Sequence, residues 1–378
     1  MPSSQFINQS TVFFLIVGTA IGAGMVTLPI LCQHLSFISI LMLFSTALMI
    51  MHCSACYFVE LSTEKAEQDN LLTFIQRYQH NLYWPTKVVY LLFFWSLLAV
   101  YLSALPAFCQ DIFPFWPLLA QPWFQAVLLM TFLLIPHFIQ AITNKVLVIL
   151  MLLALTWIIG VGMSASNQEM IALYPITVDV QLLLPVMMFF GYHLTIPSLT
   201  RFVTDHNTLK RLCLLSGLFI LFIYMIWSVL MLNLVRDNPL QTSGNQDFIQ
   251  HIALLVNNNT LAKVAVIFSM LAMATSCMGM SIGTQDFLKD GLLFVRKSHL
   301  LSSILTVMPS LFLIYGTDGD YLKILQLASY FALYLLVILP SWLVYKKRKD
   351  DRWGPLMILM IALTLAVHAF INQFYFIS

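Results

Sequence analysis

Long apolar runs recur along the whole chain, each close to the roughly 20 residues a helix needs to cross about 30 Å of hydrocarbon. Hydropathy and loop punctuation predict eleven spans, at approximately 11–33, 36–59, 86–109, 122–141, 146–165, 182–203, 211–235, 260–285, 299–316, 322–345 and 353–376. Most connections are short; the longer ones are 60–85, 236–259 and the amphipathic 286–298. The expected fold is therefore all-α and polytopic, a single membrane domain over 1–378.

Composition strengthens that reading. The 378 residues are 60% hydrophobic and 9% charged, against roughly 25% charged in soluble domains. An ordinary cytosolic protein is excluded. With a net charge of +2 and no basic patch interleaved with aromatics, no nucleic-acid partner is expected. MPSSQFINQS lacks the basic segment of a secretory signal, so the first run is expected to be retained as a span. Cysteines 32, 53, 56, 109, 213 and 277 lie in or beside apolar runs, and Cys53 and Cys56 read as two small residues on one helix face. No metal or cofactor is expected.

Orientation follows from Lys and Arg. With the N-terminus inside, one side holds Lys65, Arg77, Lys87, Lys145, Arg201, Lys210, Arg211, Lys289, Arg296, Lys297, Lys346, Lys347, Arg348, Lys349 and Arg352, which is 15 of 18. Arg236, Lys263 and Lys323 remain outside. The positive-inside rule thus predicts a cytoplasmic N-terminus and, with eleven spans, a periplasmic C-terminus.

Two spans are interrupted. GTAIGAGMVTLP (18–29) packs three glycines into seven positions and ends in Pro29. MMFFGYHLTIPSL (187–199) holds Gly191, Tyr192 and His193 between Pro185 and Pro197. These are spans one and six, the first helices of two successive five-helix units of opposite topology. Interrupted segments at matching positions of two halves point to a transporter's binding site. Glycine tolerates unwound backbone and proline removes a donor, so each stretch can open into two half-helices. Free N–H groups at one half-helix end suit a carboxylate, and carbonyls at the other suit an ammonium or a cation. Such backbone survives at membrane depth only beside a protein cavity.

FGYHLTIPSL (190–199), GTAIGAGMVTLP and ATSCMGMSIGTQDFLKDGL (274–292) resemble the sixth, first and eighth helices of aromatic amino acid permeases, the tyrosine/tryptophan permease family. The resemblance implies a LeuT-type five-plus-five inverted repeat, with repeat one at about 11–165, repeat two at about 182–345 and an extra helix at about 353–376. It also implies bacterial inner-membrane uptake of tyrosine, tryptophan or phenylalanine by proton symport. Leu194 stands where the family usually has a small residue, and Lys145 stands at the entrance of the fifth helix.

The amino and carboxyl groups of a substrate are expected at the backbone of Gly18, Thr19, Gly22, Ala23, Gly24 and Met25, with Phe189, Gly191, Tyr192 and Tyr101 as walls. His193 is the ion-coupling candidate, because ionisable groups within a membrane are functional by default and imidazole titrates near neutrality. Its roles are open: proton carrier, substrate hydrogen bond, or a structural bond to backbone. Thr275 and Ser276 place paired hydroxyls on span eight, where sodium-coupled relatives hold an ion, or else bond to their own helix. Sodium and other neutral or hydroxy amino acids are the alternative ion and substrates. GMSIG (279–283) matches the serine nucleophile elbow but falls inside a helical apolar run, so a serine hydrolase is the weaker reading.

Overall fold

The computed structural model describes residues 2–62, 79–113, 115–165, 179–200, 202–235, 260–291, 298–348 and 350–375, with the single positions Ile75, Ile176 and Val295. Lys65, Arg77, Arg201, Arg236, Arg296, Lys297 and Lys349 lie outside them. The described chain is helical: α1 (Pro2–Ala20), α2 (Ala23–Cys32), α3 (Phe37–Ser62), α4 (Tyr83–Ile112), α5 (Pro122–Leu134), α6 (His137–Ala165) and α7 (Leu183–Phe189). There follow α8 (Ile196–Leu199), α9 (His206–Val235), α10 (Thr260–Gly291), α11 (His299–Gly316), α12 (Tyr321–Ala332), α13 (Leu339–Lys347) and α14 (Trp353–Tyr375). A π-helical turn, Leu333–Ile338, joins α12 to α13.

Among the described residues, seven helices are long and apolar enough to cross a membrane, and a bent pair, Gln9–Ala20 with Gly24–Cys32, adds one broken span. Three shorter apolar helices, Pro122–Leu134, Val180–Thr195 and Trp353–Ala369, lie at the remaining expected spans. This is an all-helical membrane protein.

One expected boundary is corrected. The span expected at 122–141 stops at Leu134, where Ile135 turns extended (φ −75°, ψ 149°) and α6 starts anew at His137. Pro136 disfavours helical backbone at the preceding residue, which makes Ile135 the corner. Lys145, expected in the connection, therefore lies within α6 on an exposed face.

Lipid offers no hydrophobic drive for helices to associate, so close packing and interhelical hydrogen bonds hold the bundle. One such bond crosses between α10 and α11. Gln285 donates to Ser303 Oγ at 2.9 Å, while the buried Ser281, Thr284, Ser302 and Thr306 hydroxyls bond to carbonyls of their own helices. At the end of α3, Arg348 grips Glu60 with two bonds, Nη2 at 2.6 Å and Nε at 3.1 Å. That fork raises the Arg348 pKa and ties α3 to the C-terminal helices. Asp205 caps α9 by accepting from the Thr208 hydroxyl and N–H, and these bonds lower its pKa.

Candidate functional site

The two glycine-bearing stretches are where helices stop. α1 ends at Ala20 and α2 begins at Ala23, and the chain bends by 53° across the gap. The first break is closely approached: a Cβ on Gly22 would lie 2.6 Å from Ser276 Oγ on α10, so that hydroxyl would have to turn aside. α7 ends at Phe189, and the chain passes through Gly191 and a 3-10 turn, Tyr192–Thr195, into α8. A Cβ on Gly191 would lie 2.6 Å from the Met188 carbonyl oxygen, with no flexible side chain to yield.

Each break leaves backbone groups without their helical partners, as helix ends must. At α2 the Met25 N–H reaches only the Gly22 carbonyl, at 3.0 Å. At α7 the Phe190 and Gly191 N–H groups close short turns on Met187 and Met188, both at 3.0 Å.

Between the breaks lies a cavity of about 120 Å³. Thr19, Gly22 and Gly24 line it from the first break, and Phe189, Gly191 and Tyr192 from the second. Tyr101 on α4 and Ser276 on α10 also line it. These eight expected residues are brought together.

Four others are not. Gly18 is exposed, with nothing within 4 Å of a Cβ built on it. Met25 is fully buried away from the cavity, and the Ala23 side chain, at the start of α2, lies outside the described residues. Thr275 bonds back to its own helix, to Leu271 O at 2.9 Å and Ala272 O at 3.1 Å. His193 is fully buried but turned from the cavity. Its Nε2 donates to Met51 O of α3 at 3.0 Å, and its ring sits between Phe58 and Tyr192. Its Nδ1 has no hydrogen-bond partner.

Sequence reasoning missed the apolar wall. Phe93, Leu97 and Val100 on α4, Met280 on α10 and Leu325 on α12 also line the cavity, as do Ala20, Met188 and the Leu194 already singled out beside His193. Phe93 and Leu97 stand eight and four residues before Tyr101, so helical spacing from that residue was a usable signal. A polar pair was missed as well: the hydroxyls of Thr27 on α2 and Tyr321 on α12 bond to each other, and both residues line the cavity.

The cavity thus has the main-chain ends of two broken helices on one side and ring-compatible apolar walls with hydroxyls on the other. It suits a small zwitterion carrying a ring. Among the described residues no three His, Cys, Asp or Glu side chains group to hold a metal ion. GMSIG lies inside α10, where Ser281 is buried and its hydroxyl donates to Met278 O at 2.8 Å, so the strand-to-helix turn of a nucleophile elbow is absent there.

The model of the tryptophan/tyrosine permease family matches residues 8–372. Tyrosine-specific transport system 1 of Haemophilus influenzae is 26% identical over 375 residues, covering 93% of both chains. The tryptophan-specific transport protein of Shigella flexneri is 30% identical over 128 residues, covering 32% of this chain and 31% of the other. Among solved structures, the manganese transporter of Eremococcus coleocola superposes with a TM-score of 0.64 at 13% identity, over 96% of this chain and 85% of that one. MhsT in complex with L-phenylalanine superposes with a TM-score of 0.58 at 14% identity, over 95% and 97%. At those identities the likeness carries the fold alone.

Proposed function

This chain belongs to the tryptophan/tyrosine permease family, and we propose that it imports aromatic amino acids by proton symport with alternating access. The observation that carries the reading is the cavity bounded by both helix breaks, Gly22 and Gly24 on one side and Phe189 and Gly191 on the other. The α2 N-terminus is the end for the substrate carboxylate and the α1 C-terminus the end for its ammonium. The ring lies against Phe93, Leu97, Val100 and Met280. Two inverted five-helix repeats, about 11–165 and 182–345, followed by one further helix, fit these paired breaks. The protein is read as lying in a bacterial inner membrane with its N-terminus cytoplasmic.

His193 is proposed as the proton carrier. It sits on the broken segment beside Tyr192, and its second nitrogen has no hydrogen-bond partner. One proton suffices energetically: about 2.3 kcal/mol per charge at 100 mV supports roughly fifty-fold accumulation of a neutral zwitterion.

The test is labelled tyrosine uptake into proteoliposomes, with the pH gradient and sodium varied independently. Accumulation that follows the pH gradient and ignores sodium supports the proposal; accumulation that needs sodium and ignores pH defeats the coupling.

Two variants test the ring site. Tyr321→Phe removes a hydroxyl from the pair with Thr27, and the preference for tyrosine over phenylalanine should fall roughly tenfold. Unchanged relative KM values would take that pair out of ring recognition. Leu194→Ala shortens a wall side chain, and tryptophan uptake should gain about fivefold on tyrosine. An unaltered ratio in competition assays would mean Leu194 does not set pocket size.

A further inference from the structure

Tyr224 of α9 is a residue no motif singled out, and its hydroxyl lies within 2.8 Å of Ala20 O and 2.9 Å of Phe189 O. Ala20 is the last residue of α1 and Phe189 the last of α7. A single phenol therefore meets the carbonyl ends of both broken helices. It is fully buried, and its ring is held edge-on by Phe44 of α3 at 6.4 Å and by Phe190 at 5.2 Å.

The electrostatics of that point are specific. The C-terminal end of a helix carries about −0.5 charge, and two such ends converge here away from water. In broken-helix transporters, carbonyls of this kind coordinate a cation. Here the positive partner is an O–H proton shared between two acceptors, and among the described residues no three His, Cys, Asp or Glu side chains group to hold a metal ion.

We infer that Tyr224 is a positioning residue whose hydroxyl takes the place of a coupling cation between the two breaks, so that the site is assembled without sodium at their junction. The inference rests on the transporter reading of the same cavity. It predicts that the ends of α1 and α7 stay joined to α9 through one proton, which keeps Gly22 and Gly191 at the right separation for substrate.

The full chain is tested in proteoliposomes with labelled tyrosine at a fixed pH gradient, in sodium and with choline replacing it. Parent uptake should be equal in the two. Tyr224→Phe keeps the ring packing but leaves both carbonyls unpaired, so KM should rise about tenfold with maximal rate little changed. Tyr224→Ala opens space beside the carbonyls, so its uptake should be low in choline and rise at least roughly threefold in sodium, a rescue that a merely structural side chain would not produce.

A Phe variant with the parent's KM, a parent that needs sodium, or an Ala variant indifferent to sodium would each overturn the inference. If the parent takes up no aromatic amino acid, the proposed substrate fails instead. Tyr224 is then read from thermal unfolding in detergent, where sodium should raise the midpoint of the Ala variant and leave the parent unmoved; the same response in both would overturn it.

Discussion

Gly22→Val should reach the membrane in normal amount and take up labelled tyrosine roughly a hundredfold more slowly than the parent, an effect of about 3 kcal/mol. The first Cβ would already lie 2.6 Å from Ser276 Oγ, and valine adds two methyls to it. Even with the Ser276 hydroxyl turned aside, the added methyls occupy the first break beside the N–H groups proposed for the substrate carboxylate. Gly160→Val is the control. It stands on an exposed face of α6 with nothing within 4 Å of its Cβ, and its uptake should stay within about twofold, as surface changes usually do. Equal uptake by parent and Gly22→Val would remove the first break from the binding site.

His193→Gln should separate coupling from binding. Glutamine can still donate an N–H toward Met51 O but does not titrate, so the tie to α3 survives while the proton carrier is lost. Accumulation driven by a pH gradient should fall at least about tenfold, while counterflow exchange stays within about threefold. His193→Ala removes the bond and the Phe58 contact together, and should reduce exchange further. Were the Gln variant to lose both activities equally, His193 would be a structural residue of the α3 contact.

The fold was legible because lipid imposes two strict conditions, length and internal backbone hydrogen bonding. Eleven apolar runs corresponded to the seven long helices, the bent pair and the three shorter helices. The paired breaks were legible for the same reason, since Gly and Pro have few other uses together at that depth. The boundary at Pro136 was missed because hydropathy does not register where proline forces a corner.

Side-chain direction was less legible. His193 follows Tyr192 in a 3-10 turn, where successive residues rotate by about 120° instead of about 100°. Tyr192 and Leu194 line the cavity while the imidazole between them faces α3. Thr27, Tyr321 and Tyr224 were invisible for a different reason. Hydroxyl residues are common along this chain, and only the three-dimensional meeting of α2 with α12, and of α9 with both breaks, singles out these three.

The most direct measurement is competition for tritiated tyrosine bound to the purified protein in detergent, at equilibrium and without any ion gradient. Saturable binding that unlabelled tyrosine, tryptophan and phenylalanine displace, that leucine and serine leave in place, and that Gly22→Val lacks is the expected result. Displacement by leucine or serine as readily as by any aromatic amino acid, or full binding by Gly22→Val, would contradict a ring-selective site between the two helix breaks.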